Sequence, residues 1–181
     1  MRLFVALALP DEIAASLAMI QSGVPGARWQ TREQLHMTLR FIGEAGGREQ
    51  SAIDDALLTI KAQPLKLELK GTGEFGGKNP HTLWVGIRAN DALLHLQRKV
   101  ETALQRIGLP PEPRKFTPHV TIGRLRGTPR GRLMDYLHDH ALYASPPFEA
   151  GAFILYSSLV TSDGSLYRAE KAYPLRASGN P

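Results

Sequence analysis

The stretch HVTI at His119–Ile122 has an earlier counterpart in HMTL at His36–Leu39. Each reads His, apolar, Thr, apolar, within a run of strand character. Side chains alternate between the two faces of a β-strand. His36 and Thr38 therefore share one face, with Met37 and Leu39 on the other; His119 and Thr121 stand opposite Val120 and Ile122 in the same way. A strand of this kind buries its apolar face and displays an imidazole and a hydroxyl. Two such strands can hold one substrate between two histidines. A single His-x-Thr is a short pattern that a structural histidine satisfies by coincidence, so it is the recurrence at equivalent places that points to a site.

Outward from the motifs, the chain falls into halves of the same order. Leu3–Leu9 is an apolar strand, and Pro10 and Asp11 open a helix that carries Ile13, Leu17 and Ile20 and ends near Gly23. A turn-rich passage, Val24–Thr31, leads to the first motif strand, Gln34–Ile42. A helix over Arg48–Ala62 and a half-exposed strand at Leu65–Leu69 follow. Gly71–Pro80, dense in glycine and proline, is expected to be a loop or the seam between halves. The second half runs through a strand at Thr82–Ile87, a helix from Asn90 or Asp91 to Gly108, the motif strand Phe116–Leu125 and a helix over Arg130–Leu142. It ends in a hairpin of Phe148–Thr161 with Ser165–Leu175 about a Ser-Asp-Gly turn. The tail Ala177–Pro181 is expected to be loose. Each half thus reads strand, helix, motif strand, helix, strand. That order suggests two equivalent lobes, of about 1–75 and 80–175, inside one domain of 181 residues.

Composition narrows the function. At 43% hydrophobic and 22% charged, the chain is neither disordered nor a fibrous repeat. It has no cysteine, which removes disulfides, thiolate metal ligands and a cysteine nucleophile. The opening MRLFVALALP is short and runs into Pro10, Asp11 and Glu12, so it reads as a strand and not as a signal peptide. No apolar run approaches the length of a bilayer span. A cytoplasmic monomer with no membrane partner is the expectation. The net charge of +5 and pI near 9.7 favour anionic partners. Arg114, Lys115, Arg124, Arg126, Arg130 and Arg132 lie between Pro113 and Met134 without an acidic residue. Such a run suits an RNA backbone, and also suits a merely solvated face.

Two histidines, with unperturbed pKa values near 6.5, can be neutral and protonated at once. That pairing suits phosphoryl transfer, in which attacking and leaving oxygens lie in line. One imidazole takes a proton from the attacking water or hydroxyl, and the other gives one to the leaving oxygen. The threonines donate hydrogen bonds to the non-bridging oxygens. Arg40 shares the motif face under strict alternation, as a substrate contact or a surface salt bridge. Arg124 alternates away from His119 and Thr121, and joins them only if Gly123 introduces a bulge or the strand has ended. Phe4, Phe41, Trp29 and Tyr167 are the aromatics available to stack a base. Phe41 alternates toward the core and Trp29 also reads as core, leaving Tyr167 as the best of them. GEFGGKN at Gly73–Asn79 fails as a phosphate loop, since Asn79 stands where Ser or Thr is needed. His138 and His140 are two apart on a helix and do not face each other, and His81 and His95 have no evident partner.

LHMTLRFIGE at Leu35–Glu44 and FTPHVTIGRLR at Phe116–Arg126 resemble the two signatures of the 2H phosphoesterases. The opening RLFVALALP and the later SDGSLYRAEKAYPL resemble the RNA 2′,3′-cyclic phosphodiesterase branch, long called 2′-5′ RNA ligases. The resemblance implies a bilobal α+β fold, with pseudo-symmetric antiparallel sheets flanking a central groove, helices outside and terminal strands exchanged between lobes. It implies no metal and no cofactor. The implied substrates are RNA with 2′,3′-cyclic phosphate ends or cyclic nucleotides, opened to a 2′-phosphate. His36 would be the proton donor to the 3′ oxygen and His119 the base that activates water, with Thr38 and Thr121 as the motif threonines. Arg124 takes the place of an arginine that helps hold phosphate, while Arg40 and Tyr167 are further candidates for substrate contact. Two rivals stand beside this reading. One is 2′-5′ ligation by the same histidines. The other is a catalytically idle RNA-binding module, which leaves two intact His-x-Thr pairs without a purpose.

Overall fold

A computed structural model describes residues 1–177 of the chain, so the tail expected to be loose lies, beyond Ala177, outside the described residues. The strands are β1 (Arg2–Ala8), β2 (Ala27–Trp29), β3 (His36–Glu44), β4 (Leu65–Leu67), β5 (Leu69–Phe75), β6 (Thr82–Ile87), β7 (His119–Leu125), β8 (Phe148–Ala150), β9 (Ala152–Thr161) and β10 (Gly164–Pro174). The helices are α1 (Asp11–Ala18), α2 (Gly47–Leu58), α3 (Asp91–Arg106) and α4 (Arg130–Asp139).

Seven strands follow the order β10-β9-β1-β3-β7-β6-β5, with β2 added alongside β7. All the pairings are antiparallel. The two motif strands stand at the centre and touch through a single pair, Met37 opposite Val120. The sheet is therefore two wings joined at one pair. The terminal hairpin of β9 and β10 docks on β1, so strands from the end of the chain complete the wing begun by its first residues.

The apolar halves of the motifs face inward. Met37, Leu39, Val120 and Ile122 are buried together with Ile13 and Leu17 of α1 and Ile53 and Leu57 of α2. α3 contributes Leu93, Leu96, Val100 and Leu104, a stripe at helical spacing. Its start is fixed by Asn90, whose side-chain oxygen accepts a hydrogen bond from the Leu93 amide at 2.9 Å. With their apolar faces thus occupied, the histidines and threonines are left on the opposite side.

Several expected elements differ. Gly71–Pro80 is not all loop, because β5 continues to Phe75. Its glycines are spent inside the sheet: Gly71 takes φ +71° where the pairing with β6 slips, and Gly73 lies beneath Trp84. A Cβ on Gly73 would stand 2.3 Å from the indole ring. Composition read the stretch as a turn, whereas packing uses it as a strand. The passage before the first motif contains β2, α1 stops at Ala18, and α4 stops at Asp139. The run Phe148–Thr161 breaks at Gly151, so that β8 pairs with β4 and only β9 enters the hairpin.

Candidate active site

Each motif strand bulges just past its threonine. Against β1, Thr38 pairs with Ala6 and Arg40 with Val5, so Leu39 is the extra residue. Against β6, Thr121 pairs with Trp84 and Gly123 with Leu83, so Ile122 is the extra residue. A bulge of this kind reverses the alternation of every side chain after it. Leu39 and Arg40 are consecutively buried, as are Ile122 and Gly123. The residue five past each histidine, Phe41 in one strand and Arg124 in the other, then emerges on the motif face.

This geometry resolves the problem posed by Arg124 and corrects two expectations. Arg124 reaches the site through the bulge, and its Nη1 donates to Thr82 Oγ1 at 3.1 Å. Arg40 is not a free groove cation. It is 6% exposed, and its guanidinium is taken by the Glu101 carboxylate and the carbonyls of Phe41 and Pro110, with Glu112 at 3.8 Å. Strict alternation failed there because Leu39 is inserted before it. Phe41 is not in the core, for the same reason: it is 47% exposed and lines the groove.

His36, Thr38, His119, Thr121, Arg124 and Tyr167 line one cavity of about 460 Å3. Its other basic groups are Arg2, Arg114 and His81, and no carboxylate among the described residues lines it. A concave site ringed by arginine and histidine alone favours an anion strongly. Both motif histidines are oriented alike. The Nδ1–H of His36 donates to the Gln34 carbonyl at 2.7 Å, and that of His119 to the Thr117 carbonyl at 2.6 Å. A carbonyl can only accept, so each Nδ1 carries its proton and each Nε2 is free to exchange one. Gln34 is itself held by the C-terminal hairpin, its side-chain amide donating to the Ser165 carbonyl of β10 at 2.9 Å.

Aromatic rings wall both imidazoles. Phe4 and Tyr167 lie 4.9 and 5.1 Å from His36, and Phe75 and Trp84 lie 4.9 and 5.8 Å from His119. Burial pushes His36 down to about 4, against the Gln34 hydrogen bond that favours its charge and with help from Arg124 and His119. His119 is lowered too, by burial first and then by Arg124, with the Thr117 hydrogen bond opposing. Tyr167 reaches the site from the C-terminal hairpin, while Phe4 is almost wholly buried beneath His36. Trp29 packs against Gly123 instead of facing a ligand.

His81 was missed from the sequence because strand pairing, which sets Arg124 opposite Thr82, and not spacing, brings it to the site. It lies just before β6, with Nδ1 2.8 Å from the Thr82 hydroxyl that also accepts from Arg124. Phe75 and Arg114 were likewise missed, the first inside a stretch read as loop and the second within a basic run. Neither carries a local signal. His140 packs on Tyr136, and no three His, Asp or Glu side chains among the described residues gather in a metal-binding group.

The fold matches a solved protein of Thermus thermophilus with a TM-score of 0.83 and 25% identity, covering 99% of this chain and 100% of that one. It also matches the LigT protein of E. coli complexed with 3′-AMP, with a TM-score of 0.77 and 24% identity over 96% and 97% of the two chains. Two antiparallel wings meeting at paired His-x-Thr strands are the architecture of the 2H phosphoesterases. Within that class, residues 9–159 match the family model of the 2′-5′ RNA ligase superfamily, and the chain belongs to that family. Relatives named RNA 2′,3′-cyclic phosphodiesterase include one of Archaeoglobus fulgidus, 30% identical over 93% of this chain and 97% of its own length. Another, of Methanocaldococcus jannaschii, is 30% identical over 96% of this chain and all of its own length.

Proposed function

We propose that the protein hydrolyses the 2′,3′-cyclic phosphate at RNA ends to a 2′-phosphate, using His36 and His119 as acid and base. The observation that carries this reading is the carboxylate-free cavity into which two histidines of the same fixed tautomer present Nε2 beside Arg124. The name shared by the relatives supports the choice of substrate. In the proposed reaction, water attacks phosphorus while its proton passes to Nε2 of neutral His119. The bond from phosphorus to the 3′ oxygen breaks, and that oxygen takes the proton of His36 Nε2. Thr38 and Thr121 donate to the non-bridging oxygens, and Arg124 offsets their charge. His36 ends neutral and His119 protonated, and exchange with solvent restores both. The proposal places the enzyme in the cytoplasm as a monomer, which rests on the sequence alone.

The test uses an oligonucleotide ending in a 2′,3′-cyclic phosphate, with hydrolysed and joined products separated. His36→Ala and His119→Ala should each lower hydrolysis about 10²–10⁴-fold, the contribution of a positioned acid or base. Turnover should persist in a strong chelator. If both variants hydrolyse at the wild-type rate while still binding RNA, the paired mechanism is wrong. A product that is joined rather than hydrolysed would point to ligation.

A further inference from the structure

The groove has a second chamber beyond the catalytic cavity. It is a cavity of about 380 Å3, within the size range of small-molecule sites. His36 and Arg124 line only the catalytic cavity, Lys115 and Phe116 line only the second, and Thr38, Phe41, Phe75, His81, Arg114 and His119 line both. The two are therefore contiguous, with His119 on their shared wall.

Phe41 offers an exposed ring, 47% accessible, with the guanidinium carbon of Arg114 5.7 Å above its centre. Phe75 and Phe116 supply further apolar wall. One carboxylate is present, that of Glu112, and its charge is occupied by Arg114 at 2.9 Å and Arg40 at 3.8 Å. Lys115 makes no ion pair among the described residues, and neither does His81. Because the Thr82 hydroxyl already accepts from Arg124, its own proton is free to go to His81 Nδ1, leaving the His81 Nε2–H as a donor. An open aromatic face beneath a guanidinium, with an ammonium and an imidazole donor nearby, matches a flat base followed by a phosphate. Phosphate chemistry at His36 and His119 needs none of these groups.

We propose that this second chamber is a subsite for the neighbouring nucleotide of the RNA strand, its base stacked on Phe41 and its phosphodiester held by His81 and Lys115. The assignment rests on the function proposed above, and it makes the enzyme selective for cyclic-phosphate ends of oligonucleotides over cyclic mononucleotides.

The test compares kcat/KM for a dinucleotide ending in a 2′,3′-cyclic phosphate with that for the corresponding cyclic mononucleotide. The wild-type enzyme should favour the dinucleotide, and Phe41→Ala should reduce that preference about ten-fold, in line with the loss of one base–aromatic stack. Phe41→Trp should restore it. Arg114→Ala, on an exposed loop residue, carries the same test if Phe41→Ala fails to fold. A wild-type preference of one, or a preference unchanged in these variants, overturns the subsite while leaving the proposed function intact. Hydrolysis of neither substrate removes both. A separate arm adds free nucleoside to the cyclic mononucleotide: an effect on turnover that does not compete with the mononucleotide and that Phe41→Ala abolishes supports base binding in the chamber, whereas purely competitive inhibition places the nucleoside in the catalytic cavity and overturns the subsite. A joined product instead assigns the chamber to an acceptor strand and overturns the same-strand assignment.

Discussion

His36 and His119 are held in one tautomer by the same device, a carbonyl two residues earlier in the chain. Burial lowers both from the ordinary imidazole range, His36 to about 4. In the free enzyme at neutral pH, both are therefore mostly neutral. The productive state, with His36 protonated and His119 neutral, is thus a minor one. Lowering the pH populates protonated His36, until protonation of His119 removes the base. The expected outcome is a bell-shaped kcat/KM centred on the acid side of neutrality, with limbs that belong to the pair. An anion seated between the imidazoles favours their charged forms, so the limbs of kcat should lie at higher pH than those of kcat/KM. Steady-state profiles for a cyclic-phosphate substrate, with chemistry rate-limiting, check this. A kcat/KM flat from weakly acid to neutral pH would remove the paired roles. At the same scale, Arg40 illustrates how one residue's address depends on its neighbours: it stands two places from Thr38 in the chain, yet is committed to Glu101 and Glu112.

Among the elements, the two bulges matter most to the site. They bring Arg124 and Phe41 onto the face that strict alternation denies them. Close packing of β5 on β6 then sets the wall behind His119. Trp84 lies across Gly73 and 5.8 Å from His119, and Phe75 closes the same side. Gly73→Ala should therefore cost about 1–3 kcal/mol through overpacking. It should also lower kcat, because the indole that must move is the one that positions His119. Denaturant unfolding measured alongside turnover checks both effects; unchanged stability would show that β5 absorbs the added methyl group without moving Trp84. The helices and the buried strands were legible from apolar spacing, as in the Leu93, Leu96, Val100 and Leu104 stripe of α3. β2 and the far half of β5 were not, because their glycine-rich or turn-rich sequences become strands only by pairing with β7 and β6.

For the molecule as a whole, charge and topology act together. The basic excess of the chain is expressed at the site as a cavity that, among the described residues, has three arginines, three histidines and no carboxylate: Arg2, Arg114, Arg124, His36, His81 and His119. Raising the salt concentration should raise KM for an oligonucleotide more steeply than for a cyclic mononucleotide, by a slope of roughly 0.7 in log KM against log salt for each additional phosphate contacted. Equal slopes would mean that the enzyme touches only the terminal nucleotide. What the amino-acid sequence determined by itself was the pair of His-x-Thr strands, their amphipathic character, the repeated order of elements and the family to which they belong. These are legible because alternation and helical periodicity are local properties of a chain. Tertiary structure alone decided that Arg124 and Phe41 face the groove, that Arg40 is committed to Glu101 and Glu112, and that His81 joins the site. A bulge is a mismatch between two strands distant in sequence, and a cavity wall is assembled from several of them. Neither is a property of any segment read alone.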